Sequence, residues 1–237
     1  VAYLGVPSFI VTLGGMFIFN GAILAVTKGQ TIPANQPSFA VIGNGYLPPV
    51  VGYVLALVAI GFAAWFILGD RRKRQGYGNP VGPLWQDIAK IAVLAVLCIG
   101  YVVVVNIYQG FQMPVLIMIV VALVMAYLSN STRFGRYAYA IGGNKEAARL
   151  SGINIKKSIF SIFVLMGGLC GVAGTSLASY VGYGTIAAGQ GYELDVIASC
   201  ILGGTSTLGG EGTIVGALLG ALIMTSLTTG MTMMNAA

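Results

Sequence analysis

Runs of apolar residues almost free of charge recur along the chain, and they constrain its fold more than any other feature. A helix rising 1.5 Å per residue needs about 20 such residues to cross the ~30 Å hydrocarbon core of a bilayer. Residues 7–26, 48–68, 87–105, 111–128 and 158–181 come near that length. Residues 194–202 form a shorter apolar stretch that runs into a glycine-rich tract, 203–212, and residues 213–227 form the last apolar run. The spacing predicts an all-α fold, a polytopic membrane helix bundle with about six to seven membrane segments, one of them short or broken. The whole chain is expected to be a single membrane domain. It begins at Val1 rather than Met and ends at Ala237 just after an apolar run, so it is expected to be part of a longer protein.

Composition supports lipid as the solvent. Only 8% of the 237 residues are charged and 57% are hydrophobic, with a mean hydropathy of +0.89, whereas a soluble domain is about a quarter charged. The 35 glycines would weaken soluble helices but let membrane helices approach closely. Gly167, Gly171 and Gly174 fall on one helix face and Gly216 and Gly220 form a small-xxx-small pair; both patterns predict tight internal helix packing. The chain has no histidine, so it lacks the commonest general base and metal ligand. Cys98, Cys170 and Cys200 lie singly in apolar runs, without metal-ligand spacing. No catalytic group, metal or cofactor is expected.

The basic residues orient the segments. Arg71, Arg72, Lys73, Arg74 and Lys90 flank one connection, and Arg133, Arg136, Lys145, Arg149, Lys156 and Lys157 flank another; only Lys28 lies elsewhere. Two crossings separate the basic connections, so both fall on one side. The positive-inside rule makes that side cytoplasmic. Residues 69–86 and 129–157 then face inward, and 27–47, 106–110 and 182–192 face outward. A net charge of +6 is explained by basic loops beside an anionic membrane surface and calls for no nucleic acid.

Residues 193–212 strain the pattern. Glu193 and Asp195 precede a short apolar stretch, and Gly203, Gly204, Gly209, Gly210 and Gly212 follow it. Irregular backbone at membrane depth survives only when buried in protein or lining a watery cavity. A short or broken helix near a translocation path is expected, either crossing or re-entering.

The longest inward connection, 129–157, holds a short helix. Asn144 is its expected N-cap, Glu146 and Ala147 lie in the first turn, where negative charge suits the dipole, and Gly152 is placed to end it. A capped helix outside the membrane, tethered at both ends to spanning helices, is suited to transmit force.

Glu146-Ala147-Ala148 followed by Gly152 resembles the coupling loop of ABC importer permeases. The longer string Tyr139-Ala140-Ile141-Gly142-Gly143-Asn144, then Glu146-Ala147-Ala148-Arg149-Leu150-Ser151-Gly152-Ile153-Asn154, is similar to the monosaccharide permeases for ribose, galactose and xylose. So are Val6-Pro7-Ser8-Phe9-Ile10-Val11-Thr12-Leu13, and Tyr192-Glu193-Leu194-Asp195-Val196-Ile197-Ala198 followed by Gly203-Gly204-Thr205-Ser206. The basic run 71–74, the stretch from Ile42-Gly43 to Tyr46-Leu47-Pro48, and Asn235 after Met233-Met234 look like the xylose subgroup. The resemblance implies a permease subunit of an ATP-driven sugar importer in a bacterial inner membrane. Its implied partners are an ABC ATPase subunit, a periplasmic sugar-binding protein and a second permease subunit. The resemblance gives Gly143, Asn144, Glu146, Ala147, Ala148, Arg149 and Gly152 the role of ATPase-coupling loop. No Gly-x-x-x-x-Gly-Lys-Ser/Thr phosphate loop occurs in the chain, so ATP hydrolysis is expected on another polypeptide.

A sugar path needs hydrogen-bonding groups, and polar residues at membrane depth are functional candidates. Asn20, Asn106, Glu193, Asp195, Thr205, Ser206 and Thr207 are the candidates for that path. For Glu193 and Asp195 the other reading is an outer-surface role, capping the following helix; for Asn20 and Asn106 it is helix-to-helix hydrogen bonding. A facilitator or secondary transporter is the alternative class. Proton-coupled carriers place ionisable residues mid-membrane, whereas almost every charge here lies in a connection, and a facilitator leaves the loop at 146–152 unexplained.

Overall fold

The computed structural model describes residues 5–34, 36–58, 60–61, 64, 84–108 and 110–235. The elements run in order α1 Ser8–Thr27, β1 Ile32–Pro33, α2 Pro37–Asn44 and β2 Tyr46–Leu47, then α3 Pro49–Val58. Next come α4 Leu84–Tyr108, β3 Phe111–Gln112, α5 Met113–Ser131, α6 Arg133–Gly143, α7 Lys145–Leu150, α8 Ile155–Val181, β4 Tyr183–Gly184, α9 Tyr192–Leu202 and α10 Ile214–Met233. The basic run 71–74 and most of the connection 69–86 lie outside the described residues.

The fold is all-α and of membrane type. Helices α1, α5, α8 and α10 are each long and apolar enough to cross a bilayer. In α8, 27 residues extend about 40 Å, beyond the hydrocarbon thickness. It starts at Asn154, whose side chain accepts from the Lys157 N–H at 3.1 Å, so Lys156 and Lys157 lie in its first turn, where headgroups would meet them.

Two compact units are present, Val1–Ala40 with Ile117–Ala237, and Val41–Leu116. In the first, β1 pairs antiparallel with β4, Ile32 opposite Gly184 and Pro33 opposite Tyr183. The buried Ser179 hydroxyl donates to the Phe39 carbonyl at 2.5 Å. In the second, β2 pairs antiparallel with β3, Tyr46 opposite Gln112, and the Met113 N–H donates to the Gly45 carbonyl at 2.9 Å. The β1–β4 pairing joins two connections that the charge pattern assigns to the outward face, and the β2–β3 pairing joins the end of one such connection to the first residues of the apolar run 111–128. Ala56, Val102 and Phe111 are buried in the second unit, and a Cβ on Gly52 would stand 3.3 Å from Val102 Cγ1.

Two expectations about small residues part company. Gly216 and Gly220 pack as expected: a Cβ on Gly220 would overlap the Ser199 carbonyl, and one on Gly216 the Gly203 carbonyl. Gly167, Gly171 and Gly174 do not pack internally. Among the described residues nothing lies within 4 Å of a Cβ built on any of them. The same spacing serves both faces, but α9 folds back onto the α10 stripe and not onto that of α8.

Candidate functional site

The connection between α5 and α8 is almost wholly helical. Thr132 caps α6, accepting from the Gly135 N–H at 3.4 Å while its hydroxyl donates to the Leu128 carbonyl at 2.6 Å. Gly135 is buried where a Cβ would overlap the Ser129 carbonyl, so α6 folds back directly on the end of α5. This helix was not anticipated. It has none of the long apolar runs that mark the spanning helices; its signal was apolar and polar residues alternating at helical spacing, which a reading by apolar length passes over.

Asn144 then serves two helices. Its N–H donates to the Ala140 carbonyl at 3.0 Å, ending α6, and its side chain accepts from the Ala147 N–H at 3.0 Å, starting α7. At the other end, Gly152 is left-handed, with φ +81. Its N–H donates to the Arg149 carbonyl at 3.0 Å and the Ile153 N–H to the Ala148 carbonyl at 3.2 Å. That pair of bonds is the Schellman arrangement that satisfies the last carbonyls of a helix. Isolated six-residue helices do not persist in water; α7 is held by its caps and by the buried Ala148. Glu146 and Arg149 form one exposed pair at 3.8 Å, each side chain nearly three-quarters exposed. Such a pair adds little stability, and Leu150 is 87% exposed beside it. The outer face of α7 is therefore a small charged and apolar surface held on a rigid base.

That base includes the glycine tract. A Cβ on Gly142 would lie 2.5 Å from the Gly210 nitrogen, and one on Gly210 would lie 2.8 Å from the Gly143 Cα. Gly209 and Gly210 have φ +94 and +79, conformations that favour glycine. The turn is closed by bonds from the Ser206 N–H to the Glu211 carbonyl at 3.1 Å and from the Gly209 N–H to the Ser206 carbonyl at 3.2 Å. Tyr139 locks the contact: its hydroxyl lies 2.8 Å from the Ser129 hydroxyl and donates to the Gly212 carbonyl at 2.8 Å. A phenol has one proton, so Ser129 donates to Tyr139.

From this end α10 departs and α9 arrives. The two run antiparallel, with Ser199 against Gly220 and Gly203 against Gly216. Beyond that backbone contact they enclose a cleft of about 380 Å³ lined by Tyr192, Asp195 and Ser199 of α9 and by Thr225, Thr228 and Thr229 of α10. Thr228 lies fourteen residues beyond Ile214, about 21 Å along the helix. With 11 residues, α9 extends about 16 Å. It carries the chain down alongside α10 to the α6–α7 end, and the glycine tract makes the turn there.

The sequence candidates thus separate. Gly143, Asn144, Glu146, Ala147, Ala148, Arg149 and Gly152 are together in and around α7. Asp195 lines the cleft, while Glu193, in the same first turn of α9, does not. Thr205, Ser206 and Thr207 belong to the glycine tract, at the α7 end and outside the cleft. Asn20 is half-buried on α1 and does not line the cleft. Asn106 belongs to the second unit, where its side chain donates to the Pro49 carbonyl at 3.4 Å, and its buried Oδ1 has no partner among the described residues. Sequence reasoning missed Tyr139, Tyr192, Thr225, Thr228 and Thr229. The threonines carried a signal at i, i+3 and i+4, hidden because they straddle residue 227, the end of the apolar run. Among the described residues no three His, Cys, Asp or Glu side chains are grouped to hold a metal.

The family described as branched-chain amino acid transport system / permease component matches residues 1–237. The xylose transport system permease protein XylH of Haemophilus influenzae is 44% identical over 99% of this chain and 63% of that protein. XylH of Escherichia coli K12 is 41% identical over 99% of this chain and 60% of that protein. The ribose import permease protein RbsC of Haemophilus influenzae is 32% identical over 92% of this chain and 69% of that protein. The chain spans 63% and 60% of the two xylose permeases, about three fifths of their length. No solved structure matches it significantly. With apolar helices of crossing length and a family match running from first residue to last, the chain belongs to the permease components of the branched-chain amino acid transport system family.

Proposed function

We propose that this chain is membrane-spanning sequence of a permease subunit of an ATP-driven importer, one that carries D-xylose or a related monosaccharide inward across a bacterial inner membrane. The observation that carries the reading is α7, a helix too short to stand alone, capped by Asn144 and Gly152, presenting Glu146, Arg149 and Leu150 outward. A surface of that size, anchored at both ends to α6 and α8, is suited to dock into a cleft of an ATPase subunit and pass its movement to the membrane helices. Identity to two xylose permeases over 99% of the chain supports the sugar. A periplasmic binding protein would deliver that sugar to the outward face, and a second copy of the permease would complete the path.

The full-length permease, reconstituted in proteoliposomes with its ATPase and binding protein, tests this reading. Uptake of labelled D-xylose that requires ATP supports both the importer and the sugar. Uptake of ribose in its place keeps the importer and changes the sugar, and uptake indifferent to ATP overturns the proposal in favour of a facilitator.

A further inference from the structure

We infer that the α9–α10 cleft is a binding site for a neutral polyhydroxylated ligand, a monosaccharide in transit; the inference rests on the importer reading for the identity of that sugar. Tyr192, Asp195 and Ser199 lie three and four residues apart, on one face of α9, and Thr225, Thr228 and Thr229 lie on one face of α10. The two faces meet, so the polar groups of both helices line one space of about 380 Å³, a size within the usual range for small-ligand sites. Backbone contact at Ser199/Gly220 and Gly203/Gly216 closes the cleft toward the α7 end.

The chemistry of the lining selects the ligand. Among the described residues the Asp195 carboxylate has no hydrogen-bond or ion-pair partner. Asp195 is exposed in the first turn of α9, where the helix dipole favours its negative charge, so the carboxylate is free to accept from a ligand. The Ser199 hydroxyl donates to the Asp195 carbonyl at 2.7 Å and the Thr228 hydroxyl to the Met224 carbonyl at 2.9 Å. Their protons are spent within their own helices, so toward the cleft they act as acceptors. Thr225 and Thr229 make no such bond among the described residues and serve as donor or acceptor. The polar side of the cleft is thus rich in acceptors, while Val196, Ala221 and Met224 make the rest of its lining apolar, and it suits a ligand with both hydroxyl donors and C–H faces. Asp195 accepts from two neighbouring hydroxyls at once, and the Tyr192 ring offers a face for the sugar's C–H groups. One carboxylate among neutral hydroxyls orients such a ligand without the multiple charges a divalent cation needs.

The test uses the full-length permease in complex with its ATPase, in proteoliposomes, with Cys98, Cys170 and Cys200 replaced by Ala. Thr225→Cys is introduced and its reaction with a small maleimide is timed, with Leu219→Cys, exposed elsewhere on α10, as the control. At a D-xylose concentration about four times the dissociation constant, labelling at 225 is expected to slow about fivefold, the free fraction that remains. Labelling at 219 stays the same, and adding Asp195→Asn abolishes the protection. Should Thr225→Cys not assemble, Thr228→Cys serves as the probe. Labelling indifferent to xylose and ribose at every concentration overturns the site, as does protection by sodium ions in place of sugar. Protection without ATP-driven uptake would keep the site and remove the importer; ATP-driven uptake without protection would do the reverse.

Discussion

Tyr139 and Gly212 stand 73 residues apart in sequence and are joined by a hydrogen bond of 2.8 Å, phenol to carbonyl. With Ser129 donating to the same phenol, the end of α5, the α6 helix and the turn before α10 are tied at one atom. These bonds hold α6 against the start of α10.

Tyr139→Phe removes both bonds and leaves the half-buried Gly212 carbonyl without its partner, a loss of about 1 kcal/mol. The expected outcome is a lower Tm for the purified full-length permease and fewer sugars moved per ATP hydrolysed by the reconstituted complex. Unchanged values for both would deny the link.

Gly142→Ala drives a Cβ into the Gly210 backbone, and overpacking of this kind costs about 1–3 kcal/mol. Gly167→Ala, where no described atom is within 4 Å, is expected to be neutral or to stabilise by up to about 1 kcal/mol through helix propensity. Thermal unfolding of the two variants in detergent compares them directly. Equal losses at both positions would mean that the α8 face is packed in the full-length permease.

Glu146→Lys reverses a charge whose side chain is 74% exposed, so membrane insertion and yield are expected to be unchanged. At a docking surface the like-charge clash is larger, and ATP-driven uptake is expected to fall about tenfold or more. Uptake at the unmodified level would remove α7 from the coupling role.

Thr207 and Tyr183 are expected to face opposite sides of the membrane. In a background lacking native cysteines, an impermeant thiol reagent should label Thr207→Cys only from the cytoplasm and Tyr183→Cys only from outside. Labelling of both from the same side would overturn the path of α9.

Much of the architecture was legible in advance. The predicted run 158–181 became α8, Ile155–Val181, and 194–202 became α9, Tyr192–Leu202, because hydrophobic length is a property of consecutive residues. The caps of α7 were legible too, since Asn and Gly act on backbone groups only a few residues away. The end of α10 was less so. Hydropathy fades near residue 227, yet the helix continues to Met233. Ser226, Thr228 and Thr232 donate to carbonyls four residues earlier, at 2.7, 2.9 and 2.8 Å, which satisfies hydroxyls that hydropathy counts as polar.

The sequence by itself determined that this is an all-α membrane protein and where a short capped helix stands between α5 and α8. These follow from the length of apolar runs and local backbone chemistry. The tertiary structure alone decided that the glycine tract turns at the α7 end, that Thr205, Ser206 and Thr207 lie there, and that Asp195 lines one cleft with the α10 threonines. Glycine contacts such as Gly142 on Gly210 are made backbone to backbone. A residue without a side chain carries no pattern that names its partner, so only the folded chain shows which segments touch.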